Sequence, residues 1–171
     1  MSNRDGAAAT LHQLAHVIYY VSSLGPSLHY YCQILGFDQV DSLGASALFL
    51  RLPGSTNYFD LGLIEVGDEA RPDSRECRRG VYHVGWAVSS PEDFRHVYKS
   101  LEARDLVIGA SDHHTHVSLY SIDPDGNEVE ITWQRHPSRW RQGDMVVRAL
   151  TVDEGFVANE TTAERLTLQT D

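Results

Sequence analysis

The sequence has few cysteines, few basic residues and no long apolar run, and each shortage narrows the class of protein. Only Cys32 and Cys77 are present among 171 residues, without a CxxC motif, which predicts reduced thiols and a cytoplasmic protein. The formal net charge of −10 argues against nucleic acid or an anionic membrane as a partner, since both bind basic surfaces. No segment has the ~20 apolar residues of a membrane helix, and the first residues lack the apolar core of a signal peptide.

The rest of the composition is that of an ordinary globular protein. Hydrophobic residues make up 42% and charged residues 22% of the chain, and the length suits one domain with a sizeable core. We expect this domain to span about residues 10–140, after a disordered tail at 1–9 and before an extension at 141–171. The extension is expected to be a mobile tail or a helix packed on a partner subunit.

Residues 112–133 predict two strands around a tight turn. The turn at 123–127 contains a proline that fixes φ and a glycine that accepts positive φ. In the second strand Glu128 and Glu130 alternate with apolar residues, so both carboxylates point to one face. Such carboxylates either meet solvent on an edge strand or coordinate a metal in a cavity.

The order of predicted elements occurs twice. In the first copy a strand is followed by a helix that begins near Ser22-Ser23 and ends at Gly36. The predicted strands of this copy are 11–21, 37–43, 46–52 and 57–66, and a polar loop follows at 67–80. The second copy has strands at 81–90, 106–110, 116–122 and 127–134 and a helix at 91–103. The sequence therefore predicts an α+β protein of two βαβββ units, at about 10–67 and 80–134.

A shift of 67 residues between the copies aligns His16 with His83. A single histidine among apolar strand residues is more often part of a core than a ligand, but an equivalent pair is expected to face one shared cleft. Glu130 would supply a third ligand there. Two imidazoles and a carboxylate suit Fe(II) and O₂ chemistry, and Mn, Zn or Ni can occupy the same site.

These residues resemble the vicinal oxygen chelate superfamily, whose modules are paired βαβββ units that close around a metal. The resemblance covers about residues 11–145 and is closest to one-module, catechol 2,3-dioxygenase-like type I extradiol enzymes. It rests on GVYHVGWAV at 80–88, on ASDHHTHVSLYSIDPDGNEVEITW at 110–133 and on RHPSRW at 135–140. DPDGN followed by a glutamate is widespread in the superfamily, whereas the spacing from His113 to Leu119-Tyr120 is more specific for the dioxygenases.

The resemblance implies His16, His83 and Glu130 as metal ligands. It also implies Tyr120 as a hydrogen-bond donor to a catecholate oxygen or an oxygen intermediate, and His113 as an acid/base or substrate-orienting group. The expected function is Fe(II)-dependent extradiol cleavage of a catechol-type aromatic by O₂, in a protein that forms a homodimer.

Four other residues keep alternatives open. We expect His114 and His116 to be imidazoles on a loop surface. Many extradiol enzymes have an acid/base histidine on the last strand of the first copy, where this sequence has Phe59. Glu65 on the same strand is a possible fourth ligand, which would indicate a glyoxalase- or epimerase-type lyase or isomerase. A third alternative is a small-molecule-binding protein of the antibiotic-resistance type.

Overall fold

The computed structural model describes residues 13–68, 80–140 and 148–150. The predicted tail at 1–9, most of the loop at 67–80 and most of the extension at 141–171 lie outside the described residues. Within the described ranges, none of the helices is both long and apolar enough to cross a membrane.

The first βαβββ unit forms a four-stranded sheet. Its elements are β1 (Val17–Val21), α1 (Leu24–Leu28), a continuing π-helical segment (His29–Ile34), β2 (Asp38–Leu43), β3 (Ala47–Arg51) and β4 (Leu61–Glu65). The strand order is β1-β4-β3-β2, in which β1 pairs parallel with β4 and the other pairs are antiparallel.

The second unit repeats this arrangement. Its elements are β5 (His83–Ala87), α2 (Pro91–Glu102), β6 (Val107–Asp112), β7 (His116–Ile122) and β8 (Glu128–Gln134), followed by a 3-10 turn (Pro137–Arg139). A short strand from the extension, β9 (Arg148–Ala149), joins the free edge of β6. The order β5-β8-β7-β6-β9 again has the first strand of the unit parallel to its last. The predicted α+β class with two βαβββ units is thus confirmed.

The strand predicted at 57–66 begins only at Leu61. Asp60, directly before it, is buried and accepts hydrogen bonds from Leu52 N, Ser55 Oγ and Asn57 Nδ2 at 2.7–2.8 Å. These bonds hold the preceding residues in a loop instead of a ladder, so Phe59 lies before the strand.

The two helices begin differently. Ser90 caps α2 by accepting a hydrogen bond from Asp93 N, with Pro91 in the first turn. Ser23 is the N-cap of α1 as predicted, but its side chain makes no capping bond. Instead the carboxylate of Glu65, at the end of β4, accepts a hydrogen bond from Leu24 N at 2.8 Å.

The turn between β7 and β8 joins the two units. Tyr31 of the π-helical segment donates a hydrogen bond from its hydroxyl to Asp123 Oδ2 at 2.9 Å, and both side chains are buried. Ser22 N donates to Asp125 Oδ1 at 2.9 Å, and the rings of Phe37 and Trp86 meet edge to face at 5.1 Å. Buried residues of both units therefore form one continuous core.

Replacing Tyr31 with phenylalanine should weaken this junction. Burial raises the pKa of the Tyr31 phenol well above its usual value, so the group stays a donor at every ordinary pH. Asp123 keeps bonds from Asp125 N and Asn127, so we expect the free energy of unfolding to fall by about 1–2 kcal/mol. Urea denaturation followed by circular dichroism measures this change.

A matched control is Tyr58→Phe, which removes a tyrosine–aspartate hydrogen bond to Asp41 at the surface. Because both partners are exposed, this bond adds little to stability. Equal destabilisation by the two substitutions would contradict a special role for the buried bond.

Candidate metal centre

The parallel pairing of β5 with β8 aligns the residues of the site. His83 lies opposite Glu128, and Gly85 lies opposite Glu130. Alternation along β8 directs both carboxylates to the same face of the sheet, as the sequence predicted. A Cβ atom at Gly85 would come within 3.0 Å of Glu130 Oε2, so the glycine leaves the space that this carboxylate occupies.

His83 and Glu130 form the closest pair of potential metal ligands in this region. His83 Nε2 lies 3.1 Å from Glu130 Oε2, and Glu130 is only 8% exposed. The other ring nitrogen of His83, Nδ1, lies 3.2 Å from Glu128 Oε1. Two of the three predicted ligands are therefore adjacent.

Tyr120 and His113 lie beside this pair. Tyr120 lies opposite Glu130 in the β7–β8 register, and its hydroxyl donates to Glu130 Oε1 at 3.3 Å. His113 Nε2 is 2.9 Å from the same hydroxyl. Ser111 Oγ is 2.7 Å from His113 Nε2 and 2.9 Å from Tyr120 Oη, which closes a triangle of hydrogen-bonding groups. Nothing in the sequence indicated that Ser111 belongs to this group, because an isolated serine in a strand has no distinctive pattern.

His116 also belongs to the site, and the expectation of a surface imidazole was wrong for it. It is the first residue of β7, half-buried, and its ring stacks on that of His113 with centroids 4.4 Å apart. The Nε2 atoms of His113 and His116 each lie 3.9 Å from Glu130 Oε1. Ligand atoms of His113, His116 and Glu130 all fall within 4.8 Å of one another, a spacing that can hold a metal ion. His114 is exposed, as expected.

His16 belongs to the first unit, where it lies just outside the sheet. It precedes β1, is exposed, and stacks on Phe59 with ring centroids 4.5 Å apart. Among the residues that the structure describes, His16 makes no hydrogen bond or ion pair with the His83–Glu130 pair. Phe59, the position where an acid/base histidine was expected, is thus the immediate neighbour of His16.

Glu65 is engaged elsewhere. Its carboxylate caps α1 through Leu24 N, and its strand neighbours Leu61 and Leu63 are fully buried in the core. The face of β4 that carries Leu61 and Leu63 therefore packs into the core.

The surroundings set the protonation of two site residues. Burial, followed by the nearby charge of Glu130, raises the pKa of the Tyr120 phenol, which therefore remains a hydrogen-bond donor near neutral pH. Burial, followed by the neighbouring His113, lowers the pKa of His116, which favours the neutral ring that a metal requires.

A cavity of about 540 Å³ opens beside these side chains, a size suited to a small organic ligand. It combines site residues with the apolar surfaces of Tyr82, Ile108 and Ala149. The remaining lining residues are His83, Gly109, Ala110, Ser111, His113, Tyr120 and Glu128. Within the described part of the chain, this lining carries carboxylate and imidazole groups but no lysine or arginine.

Comparison with known proteins relates the chain to one superfamily. The family profile described as Glyoxalase/Bleomycin resistance protein/Dioxygenase superfamily matches residues 13–131. A catechol-2,3-dioxygenase of Bacillus subtilis (strain 168) is 27% identical over 164 residues, which are 92% of this chain and 56% of the relative. The chain thus spans little more than half the length of this relative.

Solved structures share the fold. A glyoxylase/bleomycin resistance protein/dioxygenase domain from Frankia sp. EAN1pec superposes with a TM-score of 0.62 at 22% identity, over 74% of this chain and 100% of that one. A glyoxalase/dioxygenase from Nostoc punctiforme gives 0.61 at 18% identity, over 75% and 99% of the two chains. A lactoylglutathione lyase from Agrobacterium tumefaciens gives 0.54 at 17%, over 73% and 96%.

Proposed function

The chain belongs to the Glyoxalase/Bleomycin resistance protein/Dioxygenase superfamily, and within it we propose an Fe(II)-dependent extradiol dioxygenase. It would cleave the ring of a catechol-type aromatic beside the two hydroxyls with O₂, giving a ring-opened semialdehyde. The observation that carries the proposal is the pairing of Tyr120 and His113 beside the His83–Glu130 pair. The likeness to a catechol-2,3-dioxygenase supports the same chemistry.

The donor set fits the metal. Imidazole nitrogens and a carboxylate are ligands that Fe(II) accepts, and Mn, Ni or Zn accept them too. His83 and Glu130 would hold the ion, because their donor atoms are 3.1 Å apart. Fe(II), when bound, would supply open coordination positions for the catechol oxygens and O₂, while the electrons that reduce O₂ would come from the catechol itself.

The chain's own residues would bind the substrate and move its protons. The apolar surfaces of Ile108 and Tyr82 would contact the ring, and the Tyr120 hydroxyl would donate to a substrate oxygen. His113, hydrogen-bonded to that hydroxyl, would accept a proton from a catechol hydroxyl and later return it as an acid. In this proposal His113 takes over the role that Phe59 cannot perform.

Two histidines compete for the third ligand position. His16 is the residue that the sequence predicts, and its exposed position allows a second copy of the chain in a homodimer to supply it. His116 is the candidate within the same chain, because its Nε2 lies 3.9 Å from Glu130 Oε1.

Single substitutions distinguish these candidates. If His16 is the ligand, His16→Ala should weaken Fe(II) or Zn(II) binding by at least about 100-fold, because removing a ligand costs more than disturbing its support. His116→Ala should then change affinity only a few-fold. Calorimetric titration of the metal-free protein gives both values, and the reverse order would assign the third position to His116.

The direct test of function is oxygen consumption. We expect protein loaded with Fe(II) under anaerobic conditions to take up O₂ when catechols are added in air, with a yellow ring-fission product. The same protein loaded with Zn(II) is the control, because Zn(II) has no redox chemistry. Absence of uptake with a panel of substituted catechols would overturn the dioxygenase proposal.

A metal-dependent lyase or isomerase of the glyoxalase or epimerase type is the second candidate, favoured by Phe59 at the position of the missing acid/base histidine. It needs proton transfer but no O₂, so metal-dependent exchange of a substrate C–H proton in the absence of oxygen would support it. Binding of a small molecule such as an antibiotic, unchanged by removal of metal, would support a resistance-type binding protein instead.

A further inference from the structure

We propose that Glu128 is a positioning residue that holds His83 in the orientation and tautomer needed to bind a metal. The inference rests on the proposed metal centre, in which His83 is a ligand. It assigns a separate task to each of the two carboxylates of β8.

The geometry places the His83 imidazole between these two carboxylates. Its Nδ1 lies 3.2 Å from Glu128 Oε1 and its Nε2 lies 3.1 Å from Glu130 Oε2. The strand register explains this arrangement. Glu128 lies directly opposite His83, and Glu130, two residues further along β8, lies opposite Gly85. All three side chains are partly or largely shielded, with exposed fractions of 26%, 22% and 10% for His83, Glu128 and Glu130.

The chemistry of imidazole gives the two contacts different meanings. A neutral imidazole carries its proton on one nitrogen and can bind a metal only through the other. Both carboxylates accept only, and each lies within 3.2 Å of a ring nitrogen, so the metal-free ring can donate to either of them. Glu128 provides the acceptor for the tautomer in which Nδ1 carries the proton, which is the tautomer that a metal on the Glu130 side requires. Nε2 is then left with a free lone pair on the side of Glu130. A carboxylate on the remote nitrogen also increases the basicity of the ligating one.

In His116 the corresponding ring nitrogen contacts a hydroxyl instead of a carboxylate. Its Nδ1 lies 2.9 Å from the hydroxyl of Thr115, which can act as donor or acceptor and therefore does not select a tautomer. Of the two histidines, only His83 therefore has a neighbouring carboxylate on Nδ1 that supports the tautomer needed for metal binding.

The test measures metal binding without catalysis. Zn(II) alone is titrated into the metal-free protein and into two variants, Glu128→Gln and Glu128→Ala. We expect Kd to rise about tenfold for Glu128→Gln, whose amide oxygen still accepts from Nδ1, and between tenfold and 100-fold for Glu128→Ala. Glu92→Gln, which removes an exposed carboxylate at the start of α2, should leave Kd unchanged.

Melting of the metal-free proteins separates positioning from a structural role. The inference predicts similar Tm values for wild type and both variants without metal, together with the graded loss of affinity. Wild-type affinity in Glu128→Ala, or a loss of affinity matched by a lower Tm without metal, would overturn it. If graded binding is found but Fe(II)-loaded protein consumes no O₂, the inference holds and the dioxygenase proposal fails.

Discussion

Glutamine at position 130 is expected to abolish tight metal binding while leaving the fold intact. The Glu130 carboxylate lies between His83 on one side and Tyr120, His113 and His116 on the other, so its loss removes the central donor of the site. Loss of a residue that only orients a ligand weakens binding 10- to 100-fold, so loss of the ligand itself should exceed about 100-fold. Calorimetric titration with Zn(II), and metal analysis of protein purified from cells, measure the effect.

Glu65→Gln is the matched control for this substitution. The amide that replaces the Glu65 carboxylate keeps an oxygen that can accept from Leu24 N, so α1 should remain capped and metal affinity should not change. Tight binding in Glu130→Gln would remove Glu130 from the ligand set. Loss of metal in Glu65→Gln would instead favour four protein ligands and, with them, the lyase or isomerase alternative.

Phenylalanine at position 120 should spare the metal and slow turnover. The substitution removes one hydroxyl and keeps the ring, whose distance from the His83 ring centroid is 5.9 Å. Loss of one preorganised donor beside a reacting oxygen typically lowers kcat by about 10²- to 10³-fold. Oxygen uptake by Fe(II)-loaded protein gives kcat and KM, and Zn(II) titration gives the metal affinity of the same variant.

A remote Tyr58→Phe variant controls for nonspecific effects of removing a hydroxyl, because Tyr58 contacts Asp41 at the surface of the first unit. An unchanged kcat in Tyr120→Phe would assign the Tyr120 hydroxyl to the packing of Ser111 and His113. A loss of metal together with activity would show that it supports Glu130 instead of the substrate.

The second unit was predictable in detail because its information is local. The strand predicted at 116–122 has its observed bounds at His116–Ile122, and the alternation of the next strand placed Glu128 and Glu130 on one face. The resemblance to a known pattern supplied Tyr120 and His113, which are in contact. Periodicity determines which face of a strand a side chain occupies, so the shared face of the two glutamates follows from the sequence, whereas Tyr120 and His113 follow from the resemblance alone.

His116 shows where local information ends. Its place in the site depends on the reverse turn before β7, in which His113 N donates to His116 O at 2.9 Å and His114 adopts a φ of 67°. The turn folds the chain back so that the rings of His113 and His116 stack. Apart from glycine, few residues adopt positive φ, so no pattern in the sequence indicated this turn.

The position of His16 could not be deduced for a different reason. A repeat predicts that His16 and His83 occupy equivalent places within their own units, but it does not specify how two sheets pack. Side-chain contacts such as Phe37 with Trp86 and Tyr31 with Asp123 determine that packing. Similarly, the hydrogen bonds of Asp60 keep Phe59 out of the ladder, which begins only at Leu61, and they depend on a loop conformation that alternation does not describe.

The parallel pairing of β5 with β8 has a consequence for when the proposed metal centre forms during folding. His83 and its partner Glu128 are 45 positions apart, and the helix and two strands between them must be arranged before the pair can meet. Contacts of such long sequence separation form slowly, because chain closure precedes any gain from the contact. A metal at the proposed centre should therefore bind after the second unit has formed. It should stabilise the finished fold by an amount that grows with the logarithm of its concentration once this exceeds Kd.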